Sequence, residues 1–185
     1  MRVFLDACVL YPTVLREVLL GVAGAGLFVP LWSPRVLEEW ARAAARLGPG
    51  QELVARGEIA VLKARFPDAQ VADAEGRGLV LPDPDDAHVA AAAAGAGAAL
   101  IVTLNLGDFP SRTLAPLGLR AQHPDAFLRG LWEADPGAIA GAAEAVRAEA
   151  ERLSGAPQPI RRLMKRAYLP RLGKALEGEA PAGRG

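Results

Sequence analysis

The sequence predicts an α/β fold: a central parallel sheet of about four to five strands flanked by helices, with extra helices at the C-terminal end. Three observations predict it. Short apolar runs alternate with helical patterns over the first two thirds of the chain, as β-α-β units require. Half of the 185 residues are apolar, which is enough for a sizeable core. Acidic residues recur just beyond the apolar runs, where the tips of parallel strands gather.

The elements follow in order. Val3–Leu5 is a buried strand pattern with Asp6 at its tip. Thr13–Ala23 has Val14, Val18, Leu19 and Val22 on one side of a helix. Leu27–Leu31 is a short extended segment. In "SPRVLEEWARAAARLG", Ser33 is an N-cap, Pro34 occupies the first helical position and Gly48 lies beyond the end. Gln51–Arg65 is a further helix, and Gly78–Leu81 a strand leading into "DPDD". Pro84 opens a helix through the alanine run toward Gly95. Ala99–Thr103 is a buried strand, and Leu119–Ala121 a short one. Helices are expected at His123–Trp132, Gly137–Leu153 and Ile160–Leu176, the last kinked or ended by Pro170. The expected division is a domain over 1–130, a helical extension packed on it over 131–177, and a flexible tail over 178–185.

Composition narrows the function classes. The 21 basic and 21 acidic side chains cancel, so any attraction to nucleic acid must be local. The single cysteine, Cys8, excludes an intramolecular disulfide and a cysteine-based zinc site, and fits a reducing, cytoplasmic compartment. The apolar stretches Val18–Trp32 and Val89–Val102 fall short of the ~18 residues of a membrane span. No membrane association is expected.

"LPDPDDAHVA", residues 81–90, places Asp83, Asp85 and Asp86 within four positions. Two readings stand. Asp83 as N-cap, Pro84 in the first turn and Asp86 three residues after the cap make an ordinary helix opening. Alternatively a cation offsets the repulsion between these carboxylates and others. Asp6 and Asp108 fall near predicted strand tips, and one of Glu38 and Glu39, in the second turn of its helix, is a fourth contribution. Magnesium and manganese take oxygen ligands, hold phosphodiester oxygens and activate water. Without an ion, crowded carboxylates raise one another's pKa.

The pieces "FLDACVL", "SPRVLEEW", "DPDDAHVAAAA" and "IVTLNLGDF" resemble, in order and spacing, the PIN-domain family, which includes VapC-type toxin ribonucleases. They span residues 3–109. The resemblance implies a PIN-like fold and a metal-dependent endoribonuclease using magnesium or manganese. It implies metal-site and catalytic acids at Asp6, Glu39, Asp86 and Asp108, with Asp83 an additional candidate ligand and Thr103 and Asn105 supporting the last strand end. Glu39 is preferred to Glu38 because it directly precedes an apolar residue, Trp40, as the family's acid usually does. Glu39 should point inward and Glu38 toward solvent or a basic neighbour. RNA is the implied substrate; an antitoxin-like protein and a second copy of the chain are candidate partners. The chain is longer than compact toxins of the family, and its C-terminal third matches none of their motifs.

Other features carry less. His88 is read as a surface or capping residue, His123 as structural and Cys8 as a small buried side chain. "GVAGAG" lacks the lysine and glycine order of a phosphate loop. Arg161, Arg162, Lys165 and Arg166 lie in an acid-free stretch suited to a nucleic-acid backbone, a solvated helix face or an acidic partner. An aspartate-nucleophile phosphatase would want a second aspartate two residues after Asp6, where Cys8 stands. A catalytically silent PIN-fold module that binds RNA or protein is the non-enzymatic alternative.

Overall fold

A computed structural model describes residues 1–178. The expected tail over 178–185 lies outside the described residues except for Gly178, which closes a helix.

The chain forms two compact units. The first comprises Met1–Tyr11 and Phe28–His123, and holds a four-stranded parallel sheet. Its strands are β1 (Arg2–Leu5), β2 (Val29–Leu31), β3 (Leu100–Val102) and β4 (Arg120–Gln122), in the order β2-β1-β3-β4. Val3, Phe4 and Leu5 are fully buried, and Leu100, Ile101 and Val102 nearly so. Burial of both strand faces is why these segments read as unbroken apolar runs. Leu5 pairs with Val102, so the two central strands end side by side. The chain leaves β1 toward β2 on one side and later places β3 on the other, making the β1/β3 boundary the switch point where α/β sheets hold ligands.

Helices α1 (Ala7–Leu10), α3 (Pro34–Ala45), α4 (Gln51–Arg65), α5 (Ala87–Gly95) and α6 (Ser111–Leu114) complete this unit. α3 begins as expected: Pro34 follows the cap, and the Ser33 hydroxyl accepts from the Val36 N–H at 3.4 Å. The Asp73 carboxylate accepts from the Arg35 N–H at 3.0 Å, giving the same helix end a second partner from a distant loop. The Val36, Leu37, Trp40 and Ala44 side chains form its buried stripe.

Gly78–Leu81 is not a strand. Its four residues have the apolar content of one, but Val80 is 82% exposed and only Leu81 is buried. A turn closed by Leu79 N–H to the Gly76 carbonyl takes up its first half, and the Thr113 hydroxyl donates to the Val80 carbonyl. Side-chain capping from α6 thus replaces a sheet ladder. The second strand of the sheet is instead Val29–Leu31, within the short extended segment expected at Leu27–Leu31.

The second unit gathers Pro12–Leu27 with the chain from Pro124. It contains α2 (Thr13–Gly24), α7 (Pro124–Ala134), α8 (Pro136–Ser154), α9 (Ile160–Arg166) and α10 (Pro170–Gly178). This grouping differs from a division in chain order at residues 130/131, because α2 packs on α8. A Cβ at Gly21 would lie 3.0 Å from the Ala142 Cβ, so the absent side chain lets the two helices approach. The single helix expected over Ile160–Leu176 is two. Tyr168 adopts φ 62° between them, and Pro170 starts the next. The buried Asp125 carboxylate accepts the Arg171 and Leu172 N–H groups at 3.0 and 2.9 Å, capping α10 from α7.

Candidate metal centre

The site is built at the tips of β1 and β3 in the first unit. Asp6 follows β1 directly, and its N–H donates to the Val102 carbonyl at 3.2 Å, extending the strand pairing by one residue. Thr103 follows β3 in the same way, its N–H donating to Gln122 at 3.1 Å. The two side chains therefore meet. The Thr103 hydroxyl donates to Asp6 Oδ2 at 2.7 Å. The Cys8 thiol donates to the same oxygen at 3.1 Å, and Cys8 Sγ accepts from the Leu104 N–H at 3.2 Å. Thr103 Oγ1 also accepts the Asn105 N–H at 3.0 Å, so Asn105 enters through its backbone.

Asp86 and Asp83 come from the start of α5. Pro84–Asp86 is a 3-10 turn leading into the helix, and Asp83 Oδ1 accepts the Asp85 N–H at 2.9 Å. Capping is therefore real here, and it coexists with the cluster. Gly76, at φ 64°, packs so closely that an added Cβ would lie 2.3 Å from the Ala87 carbonyl oxygen, next to Asp86. Asp108 ends a 3-10 turn after β3 and is partly buried.

The electrostatics show that these acids share one region. Burial pushes the Asp86 carboxyl up to about 7, and the charges of Asp6, Asp83, Asp108 and Glu39 push in the same direction. Burial also raises Asp6, and Glu39 adds to it, while the Cys8 and Thr103 donors and the Ala7 N–H oppose the rise. Burial, with the Asp6 charge beside it, raises the Cys8 thiol far above its ordinary value, so Cys8 is a hydrogen-bond donor to Asp6 rather than a nucleophile.

The paired glutamates have different partners, although both line the same cleft. Glu38 is held by Arg56 through two contacts of 3.0 and 3.1 Å and by Arg42 at 3.2 Å, and Arg56 lowers its carboxyl pKa. Glu39 Oε1 lies 2.8 Å from His88 Nε2 and 3.5 Å from Arg35 Nε. An open cleft of about 1080 Å³ is lined by Ala7, Cys8, Tyr11, Glu38, Glu39 and Asp85, with Arg35, Arg42 and Arg46 along the α3 side.

Two neighbours of the acids differ from their reading in the sequence. His88 is neither a surface nor a capping residue. It is 2% exposed, because α5 is apolar almost all round and buries most of its circumference. That surrounding "AHVAAAAAG" was the available signal. Cys8 is half-buried rather than buried, and its hydrogen bond to Asp6 depends on a fold contact with no local signature.

An ion-binding role can be tested against this geometry. Among the described residues, no three Asp, Glu, His or Cys side chains are placed to enclose one ion. Magnesium takes one or two carboxylates directly and keeps several waters, so a protein cage of three ligands is not needed. The donors are carboxylate oxygens, and at Asp86 the charges of the other four all push the pKa upward. That donor chemistry fits a hard divalent cation.

A family model described as a PIN domain matches residues 2–107, more than half of the chain. The chain belongs to the PIN-domain family, and the parallel α/β sheet is the PIN-like fold that membership entails. The fold is of nuclease type. Neither a curated protein nor a solved structure matches the chain. No described helix is long and apolar enough to cross a membrane.

Proposed function

We propose that the protein is a metal-dependent endoribonuclease that hydrolyses phosphodiester bonds. The single observation that carries the reading is the gathering of Asp6, Glu39 and Asp108, from distant parts of the chain, with Asp83 around Asp86, whose carboxyl is raised by burial and then by their charges. In this reading Asp6, Glu39, Asp86 and Asp108 hold magnesium or manganese, and Asp83 assists from the loop. The ion supplies Lewis-acid stabilisation of charge on the phosphoryl oxygens. Thr103 and Cys8 hold Asp6 in one orientation, Asn105 braces Thr103 through its N–H, and Asp86 presents its carboxylate from the start of α5. The arginines of α3 line the cleft, where a polyanionic backbone would run.

The role of toxin in a toxin–antitoxin pair, with an antitoxin-like protein as partner, belongs to the same proposal, as do a homodimeric state and a cytoplasmic location. So does a weaker nucleic-acid contact through Arg161, Arg162, Lys165 and Arg166. The absence of three enclosing ligands among the described residues favours a second reading, a catalytically silent PIN-fold module. Cleavage of single-stranded RNA in manganese, by wild type and Asp6→Asn, decides between them. The nuclease reading expects cleavage that is abolished by chelation and by Asp6→Asn. Manganese-independent RNA binding without cleavage would establish the silent module.

A further inference from the structure

Among the described residues, Trp32 and His88 are the only ones with side-chain polar atoms both buried and without a hydrogen-bond partner, and in His88 both ring nitrogens are so placed. A buried imidazole without partners is costly, and such groups call for an explanation. The nearest acid offers one. His88 Nε2 is 2.8 Å from Glu39 Oε1, a hydrogen-bond distance that lacks hydrogen-bond alignment.

The two partners of Glu39 are unequal. Arg35 lies at 3.5 Å and its side chain is half exposed, so its hold is weak. The His88 side chain is 1% exposed and packed within α5, which leaves it no other place to be. Both make their closest approach at Oε1. A neighbouring donor held at one carboxylate oxygen is the kind of contact that orients a carboxylate toward a cation.

We infer that His88 is a positioning residue: from α5 it anchors Glu39 Oε1 and so fixes the Glu39 carboxylate of α3 toward the acid cluster. The same helix then supplies Asp86 at its start and the anchor for Glu39 two residues later, coupling two acids from separate elements. The inference rests on the nuclease reading above, in which Glu39 serves the cation.

The test is manganese affinity, read from the electron paramagnetic resonance signal of free ion titrated with the full chain. Four proteins are compared: wild type, His88→Leu, His88→Asn and His88→Gln. A glutamine amide nitrogen occupies the place of Nε2, whereas asparagine is too short to reach it. His88→Leu and His88→Asn should weaken manganese binding by about tenfold or more, and His88→Gln should restore it to within a few-fold of wild type. If the leucine variant does not fold, the asparagine–glutamine contrast remains. Equal affinity across the folded variants, with wild type binding, would overturn the anchor while leaving the nuclease reading intact. Absence of manganese binding by wild type would overturn both.

Discussion

Thr103 donates its hydroxyl hydrogen to Asp6 Oδ2 at 2.7 Å, joining residues 97 positions apart at the tips of adjacent strands. The bond exists because β1 and β3 pair in a register that ends both strands together. It also links the first acid of the chain to the loop that carries Asn105 and Asp108.

Thr103→Val keeps the side-chain shape and removes the donor to a buried carboxylate. The expected loss is about 1–3 kcal/mol of unfolding free energy, as for a hydrogen bond to a charged group. Thr103→Ser should recover most of it. Urea unfolding at neutral pH without metal measures both, and a silent Thr103→Val would show that the hydroxyl does not support Asp6.

Asp86 sets a pH dependence whose sign follows from its raised pKa. Between the ordinary value of 3.8 and about 7, the folded protein holds a proton that the unfolded chain has released. Stability of the metal-free protein should therefore fall as pH rises through this window, and stay low above it. Asp86→Asn should flatten the slope and raise the melting temperature at pH 8. Manganese affinity should run the other way, increasing as pH passes about 7, because the ion competes with the proton. Scanning calorimetry at pH 5 and pH 8, with and without manganese, reads both trends.

Gly76 holds the loop against the start of α5. Gly76→Ala meets both the strain of φ 64° and a contact of 2.3 Å with the Ala87 carbonyl oxygen. It should cost on the order of 1–3 kcal/mol from strain alone and more from the clash. Gly78→Ala has φ 84° but open space, so it should cost less. Comparing their melting temperatures separates strain from crowding, and equal losses would assign the whole effect to strain.

The basic segment of α9 has fewer uncommitted charges than its sequence offers. Arg161 pairs with Glu177 at 2.7 Å, and Arg166 donates to Gln158 at 2.6 Å, while Arg162 and Lys165 are exposed. If α9 contacts RNA through the latter two, neutralising both should lower the salt slope by ~1.4, at ~0.7 per phosphate on a single strand. Binding measured at several salt concentrations in the Asp6→Asn background, where the nuclease reading expects RNA to be held uncleaved, gives the slope. An unchanged slope would remove α9 from the RNA path.

Much of the fold was legible because it is decided locally. Ser33 and Pro34 mark the start of α3 with their own hydrogen bond and backbone angle. The apolar runs of β1 and β3 end at Asp6 and Thr103, two polar residues that stay buried and bond to each other. The separation of Glu38 from Glu39 follows from adjacent positions on one helix. Gly78–Leu81 was misleading because four apolar residues suit a strand and an exposed loop equally, and the Thr113 hydroxyl that captures the loop lies 33 residues away.

The sequence by itself determined which acids stood at strand tips and helix starts, since each depends on a few neighbouring residues. Only the tertiary structure decided what those acids touch. It placed Cys8 and Thr103 on Asp6, buried His88 beside Glu39, and drew α2 to α8 across more than a hundred residues of chain. The physical reason is the range of the forces involved. Caps and backbone angles act within a turn, whereas burial and charge act through space, and the raised pKa of Asp86 comes from burial and from acids of which Asp6, Glu39 and Asp108 meet it only when the chain is folded.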